Sequence, residues 1–225
     1  MRRKYKQKIW KQLIILLVIF LGITFAILIM QTEKKKCTEF EYCWNVTVIV
    51  EQLRNNTIDP DFEKFFNRDP VRIPPNETNI IVSPADGEII AIKNNIQNYT
   101  IIIRMSLLDV HVQRVPLSGK VVSVEKSGIK FNSPSVADYL RDNVQTTTVI
   151  STEIGNITVK QITGNLVKKI ETFVESGDQV KTGDKLGKIL LGSTVVLTLP
   201  KEEAKIIINL RAKVYAGTTI IATIQ

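Results

Sequence analysis

The longest apolar stretch of the chain runs from Leu13 to Met30, eighteen residues in which Thr24 is the only polar side chain. At about 1.5 Å per residue, a helix over this run is roughly 27 Å long, close to the hydrocarbon thickness of a bilayer. A cleaved signal peptide has a shorter apolar stretch followed by small residues, whereas this run stops at Gln31-Thr32-Glu33-Lys34-Lys35-Lys36. The pattern predicts a permanent transmembrane helix over 13–30, behind a basic flank over 1–12 and ahead of a connector over 31–58.

Beyond Pro75 the pattern changes to short segments rich in β-branched residues. It predicts strands over 80–82, 88–92, 100–105, 120–124, 156–162, 195–199 and 205–210, with turns at Asp86-Gly87, Ser118-Gly119, Ser176-Gly177-Asp178 and Ala216-Gly217. A short helix is expected over 59–66, with Asp59 as its cap and Pro60 in its first turn, and another over 134–142 with Ser133 as cap. The phenylalanines of the first would seal the domain. The expected class is mainly β: a β-sandwich or barrel-sandwich-like domain over 59–225 with few short helices. The turns from Glu175 to Gly187 resemble those of lipoyl- and biotinyl-type barrels, but no carrier-lysine motif accompanies them, so this likeness concerns fold alone.

Composition adds location. Of the net charge of +8, six positive charges lie in residues 1–32, which hold no Asp or Glu, and the remainder is close to neutral at +2. The basicity belongs to the membrane flank, and no nucleic-acid signature accompanies it. The bias of Lys and Arg favours a cytosolic N-terminus with the main domain outside, and the membrane face stays open between the two sides. Asn-x-Thr sites begin at Asn45, Asn55, Asn76, Asn98 and Asn156. Cys37 and Cys43, just past the apolar run, are open to three readings: a disulfide, acylation, or free thiols.

Three segments could carry chemistry. Ser83-Pro84-Ala85-Asp86-Gly87 presents a carboxylate at a turn, which is also an ordinary structural arrangement. Asp109-Val110-His111-Val112-Gln113-Arg114 contains the only histidine of the chain, hence the only side chain whose ordinary pKa suits proton exchange near neutrality. Arg114 beside it is a natural fork for a phosphate, or a solvated cation. Leu191-Gly192-Ser193-Thr194 leads into an alternating strand. Either Ser193, His111 and Asp86 form a hydrolytic triad, which lacks the Gly-x-Ser-x-Gly elbow, or the Ser193 hydroxyl attacks the carbonyl of Gly192.

Taken together these motifs resemble the phosphatidylserine decarboxylase family, especially its short branch, which includes archaetidylserine decarboxylases. The likeness runs from Phe65-Phe66-Asn67-Arg68-Asp69-Pro70 through the three segments and Val159-Lys160-Gln161-Ile162-Thr163-Gly164 to Val214-Tyr215-Ala216-Gly217-Thr218-Thr219. It implies a self-cleaving enzyme. Ser193 attacks Gly192, the resulting ester is eliminated, and hydrolysis leaves a pyruvoyl group at the new terminus. The C-terminal piece would have 33 residues, 193–225, and would stay associated with the larger one. The ketone would accept the electron pair released when a serine-headed phospholipid loses CO₂. His111 would supply the proton, Asp86 would help activate Ser193, and Arg114 would hold the phosphodiester. No metal is assigned, and a homo-oligomer is open. Longer members carry a second histidine where this chain has Arg114, so the base that activates Ser193 is not fixed by the resemblance. Two other readings stand beside it: a membrane-anchored barrel-sandwich adaptor, against which the missing helical hairpin counts, and a membrane-bound serine hydrolase.

Overall fold

The computed structural model describes residues 46–55, 57–133, 135, 137–165, 169–190 and 193–225, with the backbone alone at 46 and 193. The apolar run 13–30, both cysteines, Asn45 and Gly192 lie outside them. Among the described residues no helix is long and apolar enough to cross a membrane.

The mainly β expectation agrees with the structure. The strands are β1 (Ile80–Val82), β2 (Gly87–Asn94), β3 (Asn98–Met105), β4 (Val112–Arg114), β5 (Gly119–Ser127), β6 (Gln145–Thr152) and β7 (Gly155–Thr163), followed by β8 (Ile170–Thr172), β9 (Gln179–Val180), β10 (Lys185–Ile189), β11 (Ser193–Pro200), β12 (Ala204–Ile206), β13 (Lys213–Val214) and β14 (Ile220–Ile224). Eight form one sheet in the order β13-β2-β3-β11-β7-β6-β5-β9, and two three-stranded sheets, β1-β14-β12 and β4-β10-β8, accompany it. All the pairings within these sheets are antiparallel. One apolar core joins the three sheets, drawing Ile81 from β1, Ile103 from β3, Leu186 from β10, Leu197 from β11 and Ile221 from β14. In β11 Val195, Leu197 and Leu199 are fully buried while Val196 and Thr198 are partly exposed, the period-2 signature of a strand. At roughly 1.5–3 kcal/mol per buried aliphatic side chain, this shared core is the main force holding the sheets together.

The structure departs from expectation in its helices and in half of its strands. The connector contains a helix, α1 (Val46–Arg54). The helix α2 (Pro60–Phe66) forms as read, with the Asp59 carboxylate accepting the Asp61 N–H at 2.8 Å. The helix expected over 134–142 shrinks to α3 (Tyr139–Asp142), opened by Asp138 rather than Ser133. There the donors bond across the loop: Lys130 N–H to the Asp142 carbonyl, and Val144 N–H to the Lys130 carbonyl. The strand expected over 205–210 stops at Ile206, and β4, β6, β8, β9, β10, β13 and β14 lie outside the expected strands.

Candidate active site

Helix α2 buries Phe62 and Phe66, and the Phe66 ring lies 4.2 Å from the His111 imidazole. His111 is wholly buried. Its Nδ1 sits 2.8 Å from the Asp109 carbonyl oxygen, and its Nε2 has no partner among the described residues. A carbonyl only accepts, so Nδ1 carries the hydrogen and Nε2 presents a bare lone pair. Burial pushes the imidazole pKa down to about 4, against the opposing pull of the Asp109 carbonyl and carboxylate. His111 is therefore a neutral base at pH 7.

The loop before it is clasped from three sides. The Asp109 carboxylate accepts the Ser106 N–H at 2.7 Å and the Lys213 ammonium at 2.5 Å. Arg68 donates to the carbonyls of Phe65 and Leu108. Fixing the Asp109 carbonyl in this way fixes the tautomer of His111.

Asp86 ends the β1–β2 turn and is buried. One carboxylate oxygen accepts the Ala216 N–H at 2.7 Å, and the other pairs with Arg72 at 2.9 Å. Burial raises its pKa, opposed by the amides of Ala216 and Val110 and by Arg72. The Val110 amide is one residue before His111, so both expected residues border the same loop. The next residue must be glycine: Gly87 has φ +151°, and a Cβ there would stand 2.4 Å from the Arg104 carbonyl oxygen. Asp86 does not orient the imidazole, since Nδ1 is engaged by a backbone carbonyl; the hydrolytic triad lacks its aspartate–histidine bond.

Arg114 has contacts other than the phosphodiester expected of it. Its guanidinium is buried and donates to the Gly183 carbonyl at 3.0 Å, the Asp69 carboxylate at 2.8 Å and the Pro70 carbonyl at 3.1 Å. It braces the 69–70 segment against the β9–β10 turn.

Ser193 is the first residue of β11, flanked by Met105 at the end of β3 and Thr163 at the end of β7. A chain of buried amides connects this point to the His111 loop. Gln113 Nε2 donates to the His111 carbonyl at 2.9 Å, and Gln161 Nε2 donates to Gln113 Oε1 at 2.7 Å. Gln161 is paired with Val195, two residues past Ser193. From the other side, the Tyr139 hydroxyl lies 3.3 Å from the Thr194 hydroxyl, and Asn143 donates to the Thr163 carbonyl at 2.7 Å. The sequence reading gives no role to Gln113, Gln161, Tyr139 or Asn143, although Gln113 and Gln161 lie inside two of its motifs.

The fold and the site define a mainly β protein that carries a neutral, desolvated histidine and a buried carboxylate on one loop system, wired to the head of a central strand. The phosphatidylserine decarboxylase family profile matches residues 61–222. The chain is 35% identical over 176 residues to a Methanothermobacter thermautotrophicus protein named as an archaetidylserine decarboxylase proenzyme, covering 70% of this chain and 78% of that one. It is 33% identical over 171 residues to the phosphatidylserine decarboxylase proenzyme of Carboxydothermus hydrogenoformans, covering 73% and 80%. A Methanosarcina barkeri protein with the archaetidylserine name is 34% identical over 166 residues. The chain belongs to the phosphatidylserine decarboxylase family, which removes the adaptor reading and leaves the hydrolase without support.

Proposed function

We propose that the protein is a phospholipid-serine decarboxylase, converting a phosphatidylserine or archaetidylserine to the corresponding ethanolamine lipid and CO₂, with a pyruvoyl group made from Ser193. The observation that carries this reading, beyond family membership, is the orphaned lone pair on His111 Nε2, buried on a loop joined by Gln113 and Gln161 to the strand that Ser193 begins.

The residues present suit such a group. Cleavage ahead of Ser193 would leave it at the end of a strand held on both sides, so its position is fixed by β3 and β7. When present, a pyruvoyl ketone supplies a carbonyl that can take the substrate amine and draw electrons from the breaking carbon–carbon bond. His111 Nε2, neutral at pH 7, takes a proton from the substrate's ammonium group and frees the amine. It returns that proton to the carbon that has lost CO₂. In the uncut chain the same lone pair would serve as the base for the Ser193 hydroxyl, a role that Arg114 as guanidinium cannot fill. Phe66 and α2 exclude water from this exchange. Asp86 holds Arg72 and the loop around Val110, and we assign Arg114 to bracing rather than to phosphate binding. The run 13–30 would keep the enzyme in the plane of its substrate as a single-pass anchor, with the catalytic domain outside the cytosol.

Intact-mass measurement of the purified chain tests the proposal. A 33-residue C-terminal fragment with no free amine and a hydrazine-reactive carbonyl is expected. Ser193→Ala should abolish cleavage and CO₂ release together. An uncut chain that still decarboxylates the lipid would end the pyruvoyl scheme.

A further inference from the structure

The segment from Asp69 to Pro74 has its polarity inverted. Asp69 meets Arg114 and Lys185, Arg72 meets Asp86, and Pro74 packs where a Cβ on Gly183 would approach within 2.4 Å. Its charged side chains thus face the protein, while Val71 and Ile73, between them, are 90% and 79% exposed. Burying a Val or Ile is worth roughly 1.5–3 kcal/mol, so a strap pinned at three points forgoes a substantial gain by holding both in water. A mobile loop would not need this explanation; a braced one does.

The surroundings say what the strap faces. The Arg72 guanidinium stands 5.6 Å from the Tyr215 ring, and Tyr215 is half exposed. The chain leading to Tyr215 carries Lys213, already paired with Asp109, and Arg211, 85% exposed and 3.9 Å from the Glu88 carboxylate. Apolar tips, an aromatic ring with a polar end and a largely exposed arginine form the composition of an interfacial lipid contact, and Arg211 complements an anionic head group. The same strap reaches the active site through the Arg72–Asp86 pair.

The geometry points to this strap as the lip through which the enzyme docks on the bilayer: Val71 and Ile73 enter the acyl region, and the head group is presented to the Asp86–His111 loop. This rests on the decarboxylase reading and adds where the lipid surface meets the protein. Ile96, 93% exposed at the turn joining β2 to β3, provides a control. Gly87 and Ile96 lie at opposite ends of β2, roughly 25 Å apart at about 3.3 Å per residue.

The test uses the full-length mature protein in phosphatidylcholine vesicles. Its two substrates are long-chain phosphatidylserine in the same bilayer and dihexanoyl phosphatidylserine added below its micelle concentration. Val71→Asp with Ile73→Asp should lower kcat/KM on the bilayer substrate by about tenfold or more. The short-chain substrate should be turned over at the wild-type rate, and Ile96→Asp should change neither. The milder Val71→Ser with Ile73→Ser should show the same split to a smaller extent if the acidic pair does not fold. Equal loss on both substrates, or loss on neither, overturns the docking lip. An equal loss accompanied by a change in sedimentation would mark the strap as a contact between two copies instead. If the wild type releases CO₂ from neither lipid, the decarboxylase reading fails rather than the lip.

Discussion

His111 and Asp86 border the same loop, yet the protein surrounds them with opposite kinds of partner. Around His111 it places a phenylalanine ring and a backbone carbonyl and offers no carboxylate bond, so burial strips the proton and leaves a neutral base. Around Asp86 it places a guanidinium and an amide donor, which work against the same desolvation. Burial prevails at both, lowering the His111 pKa and raising that of Asp86, and the partners set what each wall does besides. A dry wall supplies a lone pair at neutral pH, and an ionic wall anchors the neighbouring strap through Arg72.

Substitutions can break either wall. The largest effect is expected from His111→Ala: CO₂ release by mature enzyme should fall by about a hundredfold or more, and normal turnover would remove the histidine from the chemistry. Arg72→Met strands the Asp86 carboxylate without its cation. It should lower the unfolding free energy by about 3 kcal/mol at pH 7 in denaturant titrations. That deficit should shrink as pH falls and Asp86 protonates. Phe66→Leu lets water reach the imidazole, so the acid limb of kcat/KM, near pH 4 in the wild type, should move toward 6.5. The same depressed pKa gives a stability term fully present above about pH 6.5 and lost as pH falls through about 4, at most roughly 3 kcal/mol. The variant should lose less over that window. Arg114→Lys should have the smallest effect, about 1 kcal/mol of stability with KM for the lipid unchanged; a large rise in KM would restore the phosphate role.

The ends of the site were legible because chemistry and turn geometry coincide there: Asp86 precedes a glycine that no other residue can replace, and His111 is unique. The wiring between them was not. Gln113 and Gln161 are both fully buried, and β4 is buried at all three of its residues, so hydrophobic periodicity carries no sign of it. β6 escaped for a related reason: Gln145, Thr146 and Thr148 lie inside, where the pattern asks for aliphatic residues. Ser133-Pro134 looks like a helix start. The 129–144 loop instead spends its backbone donors on cross-loop bonds and delivers Tyr139 to Thr194. Polar interiors are recognised by partners distant in the chain, which local patterning does not encode.

The stretch that begins at Ser193 contributes β11 to the middle of the large sheet, β13 to its edge, and β12 and β14 to the sheet that contains β1. A backbone cut ahead of it would yield two polypeptides interleaved in both sheets, and neither could be withdrawn without unfolding the other. The small subunit would therefore not exchange with free copies, and a molecule whose reactive terminus is chemically spoiled would have to be replaced by synthesis rather than repaired by swapping.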